Sequence, residues 1–204
     1  MEVPLLSTAM TPAIQTILFL TSPEHGQSNV GLAVAEEFLQ RGDYEVHIAS
    51  FHPLAARVQA INNQADFDRV ARFHTIAGPS MSELVARKTP NICHKPGIAG
   101  TLDGCEKINK SVLAWSPEEY LRSYRSCLEI LKAVQPVVVV VDPLLHLGLD
   151  AARSAQMKIV ILWPVPLKDV VIMVQPKLGI LWKYPLCATM PYFNQSRIKL
   201  TFLV

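Results

Sequence analysis

No C-x-x-C pair occurs in the sequence, and none of its four cysteines, Cys93, Cys105, Cys127 and Cys187, stands at a zinc-like spacing from a histidine. A structural zinc site is therefore not expected. The cysteines read instead as reduced structural thiols of a cytoplasmic protein. No basic stripe is present. Nineteen Lys and Arg against seventeen Asp and Glu leave a formal charge of only +2, so nucleic acid is not an expected partner. The start, Met1-Glu2, lacks the basic region of a signal peptide. The first apolar run, Ile14 to Leu20, falls short of the ~20 residues that span a bilayer. Later runs are interrupted by Asp142, Lys158, Lys168 and Lys177. No transmembrane helix is expected, while peripheral membrane contact stays open. Internal repeats and low-complexity segments are absent, and so is G-x-G-x-x-G, which disfavours a nicotinamide-dependent oxidoreductase. Two N-x-S sequons, at Asn109 and Asn194, read as chance matches.

What is there is a hydrophobic chain of 204 residues, half of them apolar and 18% charged, enough for a buried core. "AIQTILFLT" is a short β-rich run. After "SPEHGQSN", apolar residues at Val30, Val34 and Phe38 and at Leu32, Ala35 and Leu39 keep helical spacing. Ser28 or Asn29 is placed to cap that helix and Gly42 to end it. "YEVHIAS" is a second strand, which completes a βαβ unit with parallel strands and a right-handed crossover.

Further on, "HPLAARVQAIN" reads as helix, "ARFHTIAG" as strand and "MSELVARK" as a short helix. Residues 89–104 hold several Gly and Pro and are expected to form a long loop. "SPEEYLRSYRSCLEILKAVQP" is the clearest helix: Ser116 as N-cap, Pro117 at the first position, Glu119 closing a capping box and Pro136 ending it. Tyr120, Tyr124, Leu128 and Leu131 share one face. "VVVVVDP" predicts a strand covered on both faces. "LLHLGLDAARSAQ" and "KIVILWP" predict the next helix and strand. An amphipathic helix before Pro176 fits residues 165–182. Beyond Pro185 the alternation of strand and helix stops. The pattern is α/β: a parallel sheet with helices on both faces.

Ligands of open parallel sheets bind beyond the carboxyl ends of the strands. Two loops lie there, "SPEHGQSN" and "DPLLH". His25 is a candidate general base, and Asp142 a carboxylate to orient and stabilise it. Against this stand plainer roles: His25 as a turn residue and Asp142 as a helix cap. Gln27, Asn29 and His146 are candidates to touch a ligand. His94, in the expected loop, is a weaker one. His52 and His74 are read as structural.

"HGQSNVGLAVAEEFLQRGDYEV" resembles the first loop and helix of UDP-dependent glycosyltransferases, whose form is H-G-H-x-N-P and then a helix ending R-G-H-x-V. "VVVVVDPLLHLGLDAARSAQMKIVILWP" resembles a second landmark, D-x-x-x-x-x-x-L-D-x-A between two strands, and "LWKYP" resembles the fungal branch. The likeness runs from about residue 14 to 185. It implies the GT-B fold, in which two Rossmann-like domains face a cleft. This chain would supply the N-terminal, acceptor-binding domain over residues 1–185, with an irregular tail over 186–204. The donor-domain signatures W-x-P-Q and H-C-G-x-N are absent from the sequence, which points to truncation or to a separate donor-domain chain.

The implied activity is inverting transfer of a sugar from a UDP-sugar to a hydroxyl of a hydrophobic small molecule, such as a fungal secondary metabolite, sterol or lipid. The UDP-sugar is a co-substrate held by the other half; no metal and no cofactor are implied. The alternatives are a non-catalytic binding module or partner subunit, and an inactive remnant. Matched by position, Asp142 falls on the supporting Asp. Counted back from Arg41-Gly42, the base position falls on Gln27, and His25 on the first, non-catalytic His. An amide has no proton-accepting role near neutral pH.

Overall fold

The computed structural model describes residues 14–64, 69–88, 93 and 95–165. The expectations for 166–204, including the amphipathic helix before Pro176, the tail from 186, Cys187 and Asn194, lie outside the described residues, as does His94. The described chain divides into two units, residues 14–80 with 115–164, and residues 81–114.

The first unit is built on five strands: β1 (Gln15–Leu20), β2 (Tyr44–Ser50), β3 (Arg72–Thr75), β4 (Val138–Val141) and β5 (Ile159–Ile161). All neighbours are parallel, in the order β3-β2-β1-β4-β5. This is the α/β, Rossmann-like sheet expected from the sequence. Its crossovers are α1 (His25–Arg41), a 3-10 turn at His52–Leu54 leading into α2 (Ala55–Gln64), α5 (Pro117–Val134) and α6 (His146–Ser154).

Alternation along the strands divides the core in two. Ile17, Phe19, Val46, Ile48 and Val140 pack under α1 and α2 with Leu32, Leu39 and Val58. Leu18, Leu20, Ala49, Val139 and Val141 pack under α5 and α6 with Cys127, Leu131, Leu147 and Ala151. Tyr120, Tyr124 and Leu128 join that second layer, as their spacing predicted. Each fully buried side chain of this size contributes about 1.5–3 kcal/mol, so the sheet is clamped from both faces. The thiol of Cys127 is pushed up to about 12 by burial, which marks it as a core residue.

Local signals behave as read at two helix ends. Gly42 adopts φ 69° and its N–H closes on the Phe38 carbonyl at 3.2 Å, ending α1. Ser116 and Glu119 exchange both hydrogen bonds of a capping box at the start of α5, at 3.2 and 2.8 Å. At the other end of α1 the reading is corrected. Neither Ser28 nor Asn29 caps it; the helix begins a turn earlier, with Glu24 at the N-cap. The N–H groups of Gln27 and Ser28 both close on the Glu24 carbonyl, at 3.0 and 2.9 Å. Buried Ser28 turns its hydroxyl back to the same carbonyl at 2.9 Å, so the side chain that was to cap the helix lies inside it.

The second unit comprises α3 (Met81–Lys88) and α4 (Ile98–Val112). Here too a reading is corrected: the segment 89–104 is not one long loop, because α4 starts at Ile98. Gly100, which argued against a helix, is needed for the local fit. A Cβ there would come within 1.6 Å of the Lys95 carbonyl oxygen, so close approach outweighs glycine's weak helix propensity. Among the described residues no helix is long and apolar enough to cross a membrane.

His47 and His74 stack on neighbouring strands, rings 5.0 Å apart and 17° from parallel, with Nδ1 of His47 2.9 Å from Nε2 of His74. One proton serves that bond, so one ring donates and the other accepts. Burial holds both imidazoles below their ordinary value; Glu45 opposes this at His47, and the neighbouring His47 adds to it at His74. The unfolded chain therefore binds more protons as pH falls below the ordinary value of 6.5, and stability is lost on the acid side. Urea midpoints measured at about pH 7.5 and about pH 5.5 should fall with acid in the wild type and fall less in His74→Gln. Equal acid sensitivity of the two proteins would contradict this.

Candidate functional site

The strand order reverses direction between β1 and β4. From β1 the chain moves outward to β2 and β3, then returns to β4 on the other side of β1. Such a switch point leaves a crevice at the carboxyl ends of the two strands. Residues Thr21–Glu24 leave β1 there and Asp142–Leu145 leave β4.

Asp142 ties the two exits together. It is 4% exposed. One carboxylate oxygen accepts the Ser22 N–H at 3.1 Å, and the other accepts the Leu144 N–H at 2.9 Å. Its own N–H continues the ladder to the Leu20 carbonyl at 2.9 Å, and its carbonyl accepts Leu145 N–H at 3.0 Å. The bond to Leu144 is the plain turn-forming role anticipated for this residue. The bond to Ser22 is not: it spans 120 positions and fixes the loop that leads into α1.

Gln27 stands on the first turn of α1 and lines a crevice with Asp142, Thr21, Gly31, Phe19 and Val140. The crevice holds about 10 Å³, at the lower edge of the ~10–15 Å³ that one water needs. It forms the floor of the switch point, where ligands of such sheets bind. A larger hollow of about 580 Å³ lies on the outer flank of α1, lined by Asn29, Val30, Val34 and Phe38. That hollow offers no reactive set, and the chemistry is better sought at the floor.

The five residues singled out from sequence separate as follows. Gln27 and Asp142 are brought together. His25 is the first residue of α1 and is exposed. It lies two positions from Gln27 on a helix, so the two side chains do not face each other. No hydrogen bond among the described residues joins His25 to Asp142, whose two oxygens both serve backbone N–H groups. Asn29 is exposed and accepts a bond from Arg57, which also donates to Ser28 Oγ. His146 opens α6, with its Nδ1 buried and unpartnered. His52 is exposed on the 3-10 turn.

Three buried polar atoms without a partner leave this edge of the sheet: Gln27 Oε1, Ser50 Oγ at the end of β2, and His146 Nδ1. Buried polar atoms are nearly always satisfied, and these three lie at or just beyond the carboxyl ends of β1, β2 and β4. Among the described residues, no group of three or more His, Cys, Asp or Glu could hold a metal ion.

No family model matches the chain. Glycosyltransferase sdnJ of the fungus Sordaria araneosa is 30% identical to it over 191 residues, which is 87% of this chain and 37% of sdnJ. The chain is related to the glycosyltransferases. It spans little more than a third of the length of that curated relative. Among solved structures, the glycosyltransferase SsfS6 of Streptomyces sp. SF2575 superposes with a TM-score of 0.52 at 16% identity, over 73% of this chain and 39% of that one. The glycotransferase of kitacinnamycin superposes with a TM-score of 0.51 at 16% identity, over 85% and 37%. At these identities the structures attest the fold: the glycosyltransferase-like chain has the Rossmann-like architecture of a GT-B half.

Sequence reasoning missed Arg57, Ser22 and Ser50. Arg57 acts across 28 and 29 positions and Ser22 through its backbone, so no local pattern marks either. Ser50 carried a signal, as the polar residue closing a strand at the ligand edge. Removing the Asp142 carboxylate in Asp142→Ala leaves the buried Ser22 N–H and the half-buried Leu144 N–H unpaired and should cost about 2–4 kcal/mol. Asp142→Asn, which still accepts one of them, should lose less. Urea unfolding of the two variants checks the order; a loss in Asp142→Ala under about 0.5 kcal/mol would remove Asp142 from the centre of the site.

Proposed function

We propose that this chain is the acceptor-binding half of a glycosyltransferase, acting on a hydrophobic small molecule that carries a hydroxyl. The observation that carries the reading is the meeting of Gln27 and Asp142 on the floor of the switch-point crevice. These are the two positions that the resemblance assigns to the base and its supporting carboxylate. The kinship with sdnJ supports it.

In the proposed reaction an acceptor oxygen attacks the anomeric carbon of a UDP-sugar. The new C–O bond forms as the bond to the diphosphate breaks, and UDP departs. Asp142 holds the β1 exit so that Gln27 faces the acceptor. Gln27 hydrogen-bonds the attacking oxygen but takes no proton from it. His25, at the mouth of α1, has no place on the floor in this scheme. His146, with its unpartnered Nδ1, and Asn29 contact more distant parts of the acceptor. Donor binding falls to residues other than those of the crevice, on the same or a separate chain.

Tryptophan-fluorescence titration with sterol, terpenoid and polyketide alcohols tests acceptor binding. At least one class should bind, and Gln27→Ala should weaken it about three- to tenfold, the worth of one hydrogen bond. His25→Ala should change affinity less than twofold, within the usual ~0.5 kcal/mol of a surface substitution. Absence of binding by every class would remove the acceptor role.

A further inference from the structure

We infer that the head group seated at this floor is a hydrogen-bond donor, the O–H of an alcohol or the N–H of an amine, and that carboxylates and ethers are refused. The inference rests on the acceptor-site reading above and narrows its substrate class.

The polarity of the floor carries it. Gln27 Oε1 is buried and has no hydrogen-bond partner. The other polar residues of the lining are Asp142 and Thr21. The oxygens of Asp142 accept one backbone N–H each, from Ser22 at 3.1 Å and from Leu144 at 2.9 Å. An ionised carboxylate has about four lone-pair sites, so accepting capacity is left over. The Thr21 hydroxyl gives its proton to the Ser22 carbonyl at 3.4 Å. An amide oxygen and a carboxylate oxygen can only accept, and both groups line one small space. A buried acceptor left unmade is costly, and a donor brought by a ligand removes that cost. An anionic head would instead add a further acceptor and a second negative charge beside Asp142. An ether oxygen would add an acceptor and no donor.

The other two unpartnered atoms of this edge fit the same head group. Ser50 Oγ, fully buried at the end of β2, can donate or accept. His146 Nδ1, at the start of α6, accepts when the ring carries its proton on Nε2 and donates in the other tautomer. A hydroxyl meets either atom in either role, because it too does both. The groups of fixed polarity are Gln27 Oε1 and the Asp142 carboxylate, and both are acceptors. The crevice holds about 10 Å³, about the space of one water-sized probe. A single O–H or N–H therefore reaches the floor while the carbon body of the ligand stays outside it.

The test uses the 204-residue chain and two matched probe pairs, followed by tryptophan emission at neutral pH. Octan-1-ol and 1-methoxyheptane are isomers, and only the first carries a donor. The alcohol should bind about three- to tenfold tighter, the worth of one hydrogen bond. Octylamine and octanoate have the same chain length and opposite charge. The amine should bind at least about tenfold tighter, because a charged donor makes the stronger bond. Gln27→Met, checked for cooperative unfolding, should lose the preference for octan-1-ol and keep its affinity for 1-methoxyheptane. Equal binding of the two isomers, as expected were a water alone to serve Gln27 Oε1, overturns the inference and leaves the acceptor-site reading standing. So does tighter binding of octanoate than of octylamine, or a preference for the alcohol that survives Gln27→Met. Failure of all four probes to bind overturns both.

Discussion

The structure turns on one carboxylate. Asp142 sits where β4 ends, and its two oxygens hold backbone N–H groups of two different loops. Buried at 4% exposure, it can stay there only because both bonds are made; a buried charge without them is costly. That requirement joins the exits of β1 and β4 at the switch point and sets the direction in which α1 begins. The placement of Gln27 and of the crevice floor follows from it.

The rest of the sheet serves this arrangement. Two layers of helices bury its faces and pack against the strands that end at this edge. Arg57 reaches from α2 to Ser28 and Asn29 and pins the first turn of α1 from outside. Gln27 Oε1, Ser50 Oγ and His146 Nδ1 are buried without a partner at this edge.

Much of this fold was readable from residue patterns because its signals are local. The valine run, the apolar spacing of α1, Gly42 and the Ser116–Glu119 box each act within a few residues, and each appears where the pattern put it. The start of α1 was misread because Ser28 is drawn inward by burial and by Arg57, partners far along the chain. Helix α4 was hidden by Gly100, whose role is steric and depends on the path of Lys95. The candidate site was legible in part for the same reason. Asp142 and Gln27 sit at strand exits, which sequence can locate. The bond from Ser22 to Asp142 and the separation of His25 from Gln27 depend on the register of β1 against β4 and on where α1 begins, which it cannot.

The central claim is that ligand chemistry belongs to the β1–β4 edge. The most direct measurement is an amide-resolved NMR titration with a hydrophobic acceptor probe. The account predicts shift changes at Ser22, at Gln27 to Gly31 and at Asp142 to His146, with the far ends of the same helices unmoved. Changes confined to the outer flank of α1 around Val34 and Phe38, with Ser22 and Asp142 silent, would contradict it.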